Sequence, residues 1–170
     1  MGKFPSMART QLAVIPFIMH QGQPLILMVT SRETRRWIVP KGWQEKKVTD
    51  RDQAGREAFE EAGVAGILSD KPIGSYRYDK RLKDGRVKVL EVAVYSLEVT
   101  ELLDDWPEMD ERERRWMTPA QAAMAVREGA LAALLLSMAV SPPSVSGRES
   151  GNPAALPPVH KAQRENRPRS

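Results

Sequence analysis

Residues 42–64 read GWQEKKVTDRDQAGREAFEEAGV, and this stretch joins a helix signal to a dense acidic cluster. Thr49 is a typical helix N-cap, and the acidic Asp50 and Asp52 suit the positive end of a first helical turn. Gly63 suits the left-handed position that follows a helix. The pattern predicts a helix that begins near Thr49 or Asp50 and ends at Gly63.

The second half of this helix carries three carboxylates, Glu57, Glu60 and Glu61, within an arc of about 100°. Like charges three and four residues apart destabilise a helix by about 0.2–0.5 kcal/mol per pair. Hard cations such as Mg²⁺ or Mn²⁺ bind oxygen ligands and would offset that cost, whereas the alternative is an ordinary solvated acidic face. Another arc is predicted to face the core and holds Gly55, Ala58, Phe59 and Ala62.

The spacing of the whole stretch resembles the Nudix box, Gly-x5-Glu-x7-Arg-Glu-U-x-Glu-Glu-x-Gly-U, in which U is apolar. Gly42 matches the first glycine, and residues 56–64 match the end of the pattern. One position departs, because Val48 stands where the pattern has its first glutamate. Glu45 and Asp50 are near in sequence and are candidates to replace it.

The resemblance implies an α+β fold, the Nudix α/β/α sandwich, in which a mixed sheet is flanked by helices and the box forms a loop–helix–loop. The residues themselves indicate strands, one helix, more strands and a final helix. Pro16 predicts that the first strand lies at an edge or contains a bulge. The predicted strands are 10–19, 25–30, 37–39, 66–80 with a break at 70–74, 86–99 and 116–117, and the last helix is 118–139 with an interruption at Gly129.

In the Nudix family the box glutamates hold Mg²⁺ or Mn²⁺ for the hydrolysis of a phosphoanhydride bond. The resemblance implies that Glu60 and Glu61 are the main metal ligands. Glu57 is then a third ligand or the base that activates water. Arg56 would orient a carboxylate through charge-assisted hydrogen bonds, and the carbonyl of Gly42 would be a further ligand.

Two more stretches resemble the diphosphoinositol polyphosphate phosphohydrolases, which also hydrolyse diadenosine polyphosphates. Residues 31–42 read SRETRRWIVPKG, and residues 99–116 read VTELLDDWPEMDERERRW. The resemblance implies a substrate in which a nucleoside diphosphate is linked to another group, or a diphosphoinositol polyphosphate. In that family a Ser-Arg loop and a basic segment before the long strand bind phosphates. The predicted substrate contacts are Ser31, Arg32, Lys41, Arg81 and Arg86.

Several interpretations remain open. Glu91, Glu98 and Glu101 are candidates for an additional metal ligand from outside the box. Trp43 either narrows the site or stacks on an adenine. One alternative function is hydrolysis of nucleoside triphosphates or of RNA 5′ ends. Another is a Nudix-fold module that binds a nucleotide without turnover, which the departure at Val48 favours.

Composition restricts the remaining possibilities. The 170-residue chain has no cysteine, which excludes disulfides and thiolate metal sites. We predict a flexible leader at residues 1–9, a Nudix domain at 10–140 and a disordered, Pro-rich basic tail at 141–170. The net charge of +4 arises mostly in that tail, and no apolar run is long enough to span a membrane. We expect a cytoplasmic protein that acts on a small phosphoanhydride, without a membrane or nucleic-acid partner, and its oligomeric state stays open.

Overall fold

The computed structural model describes residues 10–143. The predicted leader at residues 1–9 and residues 144–170 of the predicted tail lie outside this part of the chain. Within residues 10–143, no helix is both long and apolar enough to cross a membrane. The elements are β1 (Gln11–His20), β2 (Gln23–Thr30), β3 (Trp37–Ile38), β4 (Lys41–Trp43), α1 (Asp50–Glu57), a π-helical turn (Ala58–Ala62), β5 (Val64–Leu68), β6 (Gly74–Arg81), β7 (Val87–Leu102), β8 (Arg114–Met117), α2 (Pro119–Ala125) and α3 (Gly129–Val140).

An eight-stranded mixed sheet forms the middle layer. Its hydrogen-bonded order is β3-β2-β1-β7-β5, while β4 pairs with β1, β6 with β7 and β8 with β2. β1 and β7 run parallel at the centre, with Gln11 opposite Val92, and the other pairs are antiparallel. The predicted mixed sheet is confirmed, although the sequence did not predict β4.

Pro16 lies in a central strand, so the predicted edge position is wrong. β1 pairs with β4 through residues 11–13 and with β2 through residues 17–20. Between them, the amide N–H of Val14 donates to the carbonyl of Pro40 at 3.0 Å. Alternate residues of a strand point their N–H groups to the same side, so the nitrogen of Pro16 points to the same side as the N–H of Val14. On that side, Pro16 lies between the residues that pair with β4 and those that pair with β2. Its missing N–H costs no ladder hydrogen bond at that position.

Side chains of β1 alternate between two buried layers. On one face, Leu12 and Val14 pack in a cluster with the alanines of α1 and the π-helical turn. The opposite face packs against α2 and α3. This second cluster includes Ala13, Ile15, Phe17, Ala122, Leu131, Leu135 and Met138. Helices therefore cover both faces of the sheet, which confirms the α/β/α sandwich.

The box helix begins and ends as predicted. The side chain of Thr49 accepts a hydrogen bond from the amide of Asp52 at 3.1 Å, and Gly63 adopts the left-handed conformation with φ of 65°. Between these ends, α1 continues as a π-helical turn that the sequence did not predict. Phe59, predicted to face the core, is 42% exposed because it lies at the edge of the apolar arc. The fully buried positions of the helix are Ala54, Ala58 and Ala62.

Candidate active site

A cleft of about 650 Å³ opens where the loop at residues 31–36, β4, the box helix and the segment before β8 meet. Its charged lining includes both carboxylates and cations. These are Glu33, Glu45, Glu57, Glu61 and Glu108 together with Arg32, Arg36, Lys41 and Arg112. Such a surface suits an anionic ligand that binds together with a metal cation.

Glu61 is almost fully buried, with 6% of its surface exposed. Its Oε1 accepts a hydrogen bond from the Arg112 guanidinium at 3.2 Å, and its Oε2 accepts one from the backbone N–H of Lys41 at 3.3 Å. Burial raises the pKa of Glu61 to about 7, Arg112 opposes the shift, and Glu57 and Glu108 add to it. A cation placed beside this carboxylate would favour its ionised form.

Glu57 faces the same cleft beside Gly42 of β4. Its Oε1 accepts a hydrogen bond from the side-chain amide of Gln53 at 2.7 Å. Burial raises the pKa of Glu57, the Gln53 hydrogen bond opposes this shift, and nearby carboxylates add to it. A Cβ atom at position 42 would overlap Oε1 of Glu57 and lie 2.8 Å from Oε2. The first glycine of the box therefore leaves the room that the Glu57 carboxylate occupies.

Glu60 does not line the cleft, unlike Glu57 and Glu61. Its backbone carbonyl accepts a hydrogen bond from the amide of Glu108 at 3.0 Å. Among residues 10–143, no three His, Cys, Asp or Glu side chains converge tightly enough to hold a metal ion. The structure thus brings two of the three predicted glutamates to the cleft. Glu61 is buried and Glu57 is half-buried, and their hard oxygen donors fit Mg²⁺ or Mn²⁺.

Arg56 has an acidic partner in spite of the departure at Val48. Its guanidinium donates to Oε2 of Glu45 at 3.2 Å, and both side chains are about half exposed. Asp50, the other candidate replacement, accepts instead from the side-chain amide of Gln44 at 2.7 Å. Of the two candidates, Glu45 is therefore the one that contacts Arg56.

Three of the predicted substrate contacts, Ser31, Arg32 and Lys41, line the cleft. The Arg32 guanidinium lies 3.8 Å from a carboxylate oxygen of Glu108. Burial lowers the pKa of Lys41, and its ammonium lies 4.7 Å from the centre of the Tyr78 ring. Arg32 and Lys41, here named the cationic wall, therefore line the same cleft as Glu57 and Glu61.

The other two predicted contacts, Arg81 and Arg86, do not line the cleft. Arg86 forms an ion pair with Asp84 at 2.6 Å in the turn between β6 and β7. Side chains alternate along β6, and the neighbouring Lys80 lies on the other face. Its ammonium is 5.1 Å from the centre of the Trp43 ring, and Trp43 lines the cleft. Lys80 therefore lies beside the cleft, although it was not among the predicted contacts.

The NUDIX domain model matches residues 9–135, which is most of the chain. The chain belongs to the Nudix family. Nudix hydrolase 12, mitochondrial, of Arabidopsis thaliana is 40% identical over 100 residues, which cover 57% of this chain and 49% of that relative. Diphosphoinositol polyphosphate phosphohydrolase 3-beta of Bos taurus is 33% identical over 114 residues, or 66% of this chain and 65% of that relative. The chain spans about half the length of the first relative and about two thirds of the second.

Solved structures support the Nudix fold. The Ap4A hydrolase of C. elegans has a TM-score of 0.56 at 18% identity, covering 79% of this chain and 98% of that chain. The dihydroneopterin triphosphate pyrophosphohydrolase of E. coli has a TM-score of 0.61 at 14% identity, covering 79% and 99%. The family and the fold predicted from the sequence are both confirmed.

Two residues of this Nudix site, Glu108 and Arg112, were not predicted from the sequence. Both line the cleft, and two nitrogens of Arg112 donate to one oxygen of Glu108 at 3.1 and 3.2 Å. The only local signal in the sequence is their spacing of four residues within a run of acidic and basic residues.

The predicted additional metal ligands lie on β7, and none of them lines the cleft: Glu91, Glu98 and Glu101.

Proposed function

We propose that this Nudix protein hydrolyses a phosphoanhydride bond of a dinucleoside polyphosphate or a diphosphoinositol polyphosphate. One observation carries the proposal. The half-buried carboxylate of Glu57 and the buried carboxylate of Glu61 line one cleft together with the cations of Arg32 and Lys41. Hydrolysis of a polyphosphate needs both features, because a metal must be held and the charge of the phosphate oxygens must be neutralised.

We assign Glu57 and Glu61 as the side chains that would hold Mg²⁺ or Mn²⁺. The bound metal would stabilise negative charge on the scissile phosphate. Gly42, whose carbonyl was predicted as a further ligand, packs against the Glu57 carboxylate. Glu60 adds negative charge beside Glu57 from outside the cleft lining.

The proposed step exchanges one P–O bond for another. A water oxygen attacks phosphorus, the bond to the bridging oxygen breaks, and that oxygen leaves on the departing phosphate. The proton of the water passes to a carboxylate of the cleft, and Glu57, predicted as a metal ligand or as the base, is the candidate, because both oxygens of Glu61 already accept hydrogen bonds. Arg32 and Lys41 stabilise charge on the remaining phosphate oxygens, and Arg56 is a positioning residue through its partner Glu45.

The substrate class is favoured by two similarities and by the charge of the cleft. A relative is named a diphosphoinositol polyphosphate phosphohydrolase, and a protein of the same fold is named an Ap4A hydrolase. Arg36, Lys41 and Lys80 lie near one another on one side of the cleft, where Glu128 partly balances their charge through a 3.0 Å ion pair with Arg36. Lys80 lies over the ring of Trp43. An extended polyphosphate would use these cations, and Trp43 would contact the group that the polyphosphate carries.

The test measures phosphate release from a panel of candidate substrates in the presence of Mg²⁺ or Mn²⁺. The panel contains diadenosine polyphosphates, diphosphoinositol phosphates, ADP-ribose, nucleoside triphosphates and 5′-triphosphate RNA. We expect the wild type and an exposed control, Glu113→Gln, to cleave one of the first two classes, and Glu61→Gln to be slower by at least about 100-fold. Preference for a nucleoside triphosphate or RNA would replace the proposed substrate. Binding measured by calorimetry without any turnover would overturn hydrolysis and support a non-catalytic module.

The cytoplasmic location is also part of the proposal. The name of the Arabidopsis relative includes the word mitochondrial. Fractionation of cells that express the tagged chain tests the location, and recovery in the mitochondrial fraction would contradict it.

A further inference from the structure

Residues 103–114, here named the clamp segment, lead from β7 into the start of β8 and contact the end of the box helix. A helix end leaves its last carbonyl groups without partners inside the helix. The clamp segment donates to four consecutive carbonyl groups there. The bonds are Glu108 N to Glu60 at 3.0 Å, Trp106 Nε1 to Glu61 at 3.1 Å, Arg114 Nη1 to Ala62 at 2.9 Å and Leu103 N to Gly63 at 2.8 Å.

The second glycine of the box makes this contact possible. A Cβ atom at Gly63 would lie 2.7 Å from the Trp106 ring and 2.7 Å from the Arg114 guanidinium. Arg114 itself stacks on Trp106 at 3.9 Å. Gly63 is therefore needed for close packing of the clamp segment as well as for its positive φ.

Arg112 extends the clamp segment to the side chain of Glu61. Its guanidinium is buried and donates to the Thr30 carbonyl at 3.0 Å, to Glu61 at 3.2 Å and to Glu108 at 3.1 Å. A buried guanidinium needs such partners, and its planar fork serves several acceptors at fixed angles. The ammonium of a lysine at this position would not reproduce that geometry.

Both oxygens of the Glu61 carboxylate are thereby fixed. Arg112 binds one oxygen, the amide of Lys41 binds the other, and Trp106 binds the backbone carbonyl of the same residue. We propose that the clamp segment positions Glu61 for the reaction, with Arg112 acting on its carboxylate and Trp106 on its backbone. This inference rests on the proposed function. Arg112 is a positioning residue, because it acts through Glu61.

The test compares kcat and KM of the full chain with those of Arg112→Lys, Trp106→Phe and the control Arg115→Lys. Arg115 is exposed on β8 and stacks on Trp37, outside the cleft lining. We expect Arg112→Lys to lower kcat by about 10- to 100-fold with KM changed less than about threefold. Trp106→Phe loses one hydrogen bond and should lower kcat by about 5- to 10-fold. The control should retain the wild-type values.

Thermal melting in EDTA accompanies the kinetics and shows whether each variant is folded. If Arg112→Lys does not fold, Trp106→Phe decides the outcome. Folded variants that keep the wild-type kcat, or that change only KM, would overturn the positioning role while leaving the proposed function intact. A wild type without turnover would instead refute the proposed function and this inference with it.

Discussion

Replacing Gly42 with alanine is expected to displace the carboxylate of Glu57. The added Cβ would overlap Oε1 and lie 2.8 Å from Oε2, whereas atoms in ordinary contact are about 3.5 Å apart. The carboxylate must therefore move by about 1 Å and lose the 2.7 Å hydrogen bond from Gln53. Because the displaced atoms are the far end of a flexible side chain, the free energy of unfolding should fall only by the net worth of the lost hydrogen bond, about 0.5–1.5 kcal/mol. A displacement of about 1 Å in a reacting group lowers the rate by about 100-fold.

The matched control is Gly129→Ala, because a Cβ at position 129 meets no atom within 4 Å at the start of α3. Urea denaturation and phosphate release are measured for both variants and the wild type. We expect Gly129→Ala to raise the free energy of unfolding by up to about 1 kcal/mol without changing kcat. If Gly42→Ala keeps the wild-type kcat, the steric argument is refuted, because Glu57 then works without the room that Gly42 provides.

Three further predictions concern charge. The pKa of Glu61 rises from 4.5 to about 7 on folding, so the free energy of unfolding in EDTA should fall by roughly 3 kcal/mol as pH rises between these values. Urea denaturation of Glu61→Gln should show a smaller decrease, because the raised pKa of Glu57 still contributes, and an unchanged slope would contradict the burial argument. A double-mutant cycle on the half-exposed pair of Arg56 and Glu45 should give a coupling energy below about 1 kcal/mol in urea denaturation. A larger coupling energy would contradict the argument that solvent screens this ion pair. Lys41→Met should raise KM by at least about tenfold, because Lys41 lines the cleft. Arg86→Ala should change KM by less than about twofold, because Arg86 pairs with Asp84 outside the cleft lining. Equal effects of the two variants on KM would show that the substrate does not contact the cationic wall.

The limits of the box helix could be predicted because their causes are local. Thr49 caps the amide three residues later, and Gly63 adopts the left-handed conformation that its residue type permits. The partner of Arg56 was also among the local candidates, since Glu45 lies in the same loop. The buried alternation of β1 likewise follows from its apolar residues and predicts a strand within a sandwich.

The remainder of the site depends on contacts between distant parts of the chain. Arg112 is buried because Glu61, 51 positions away, and Thr30, 82 positions away, accept its hydrogen bonds. No local pattern distinguishes it from its exposed neighbours in the sequence. The difference between Lys80 and Arg81 depends on the register of β6 against β7, which a basic turn does not reveal. The π-helical turn likewise accompanies contacts with the clamp segment, which lie beyond the box itself.

The parallel pairing of β1 with β7 sets the order in which the chain can fold. Gln11 pairs with Val92 and Phe17 with Glu98, so the two central strands are about eighty positions apart. Loop-closure entropy opposes such contacts, and topologies rich in them fold slowly. During synthesis, β1 leaves the ribosome well before β7, and it can pair with this central neighbour only after β7 has also emerged. The cleft therefore forms only after the larger part of the polypeptide has been translated.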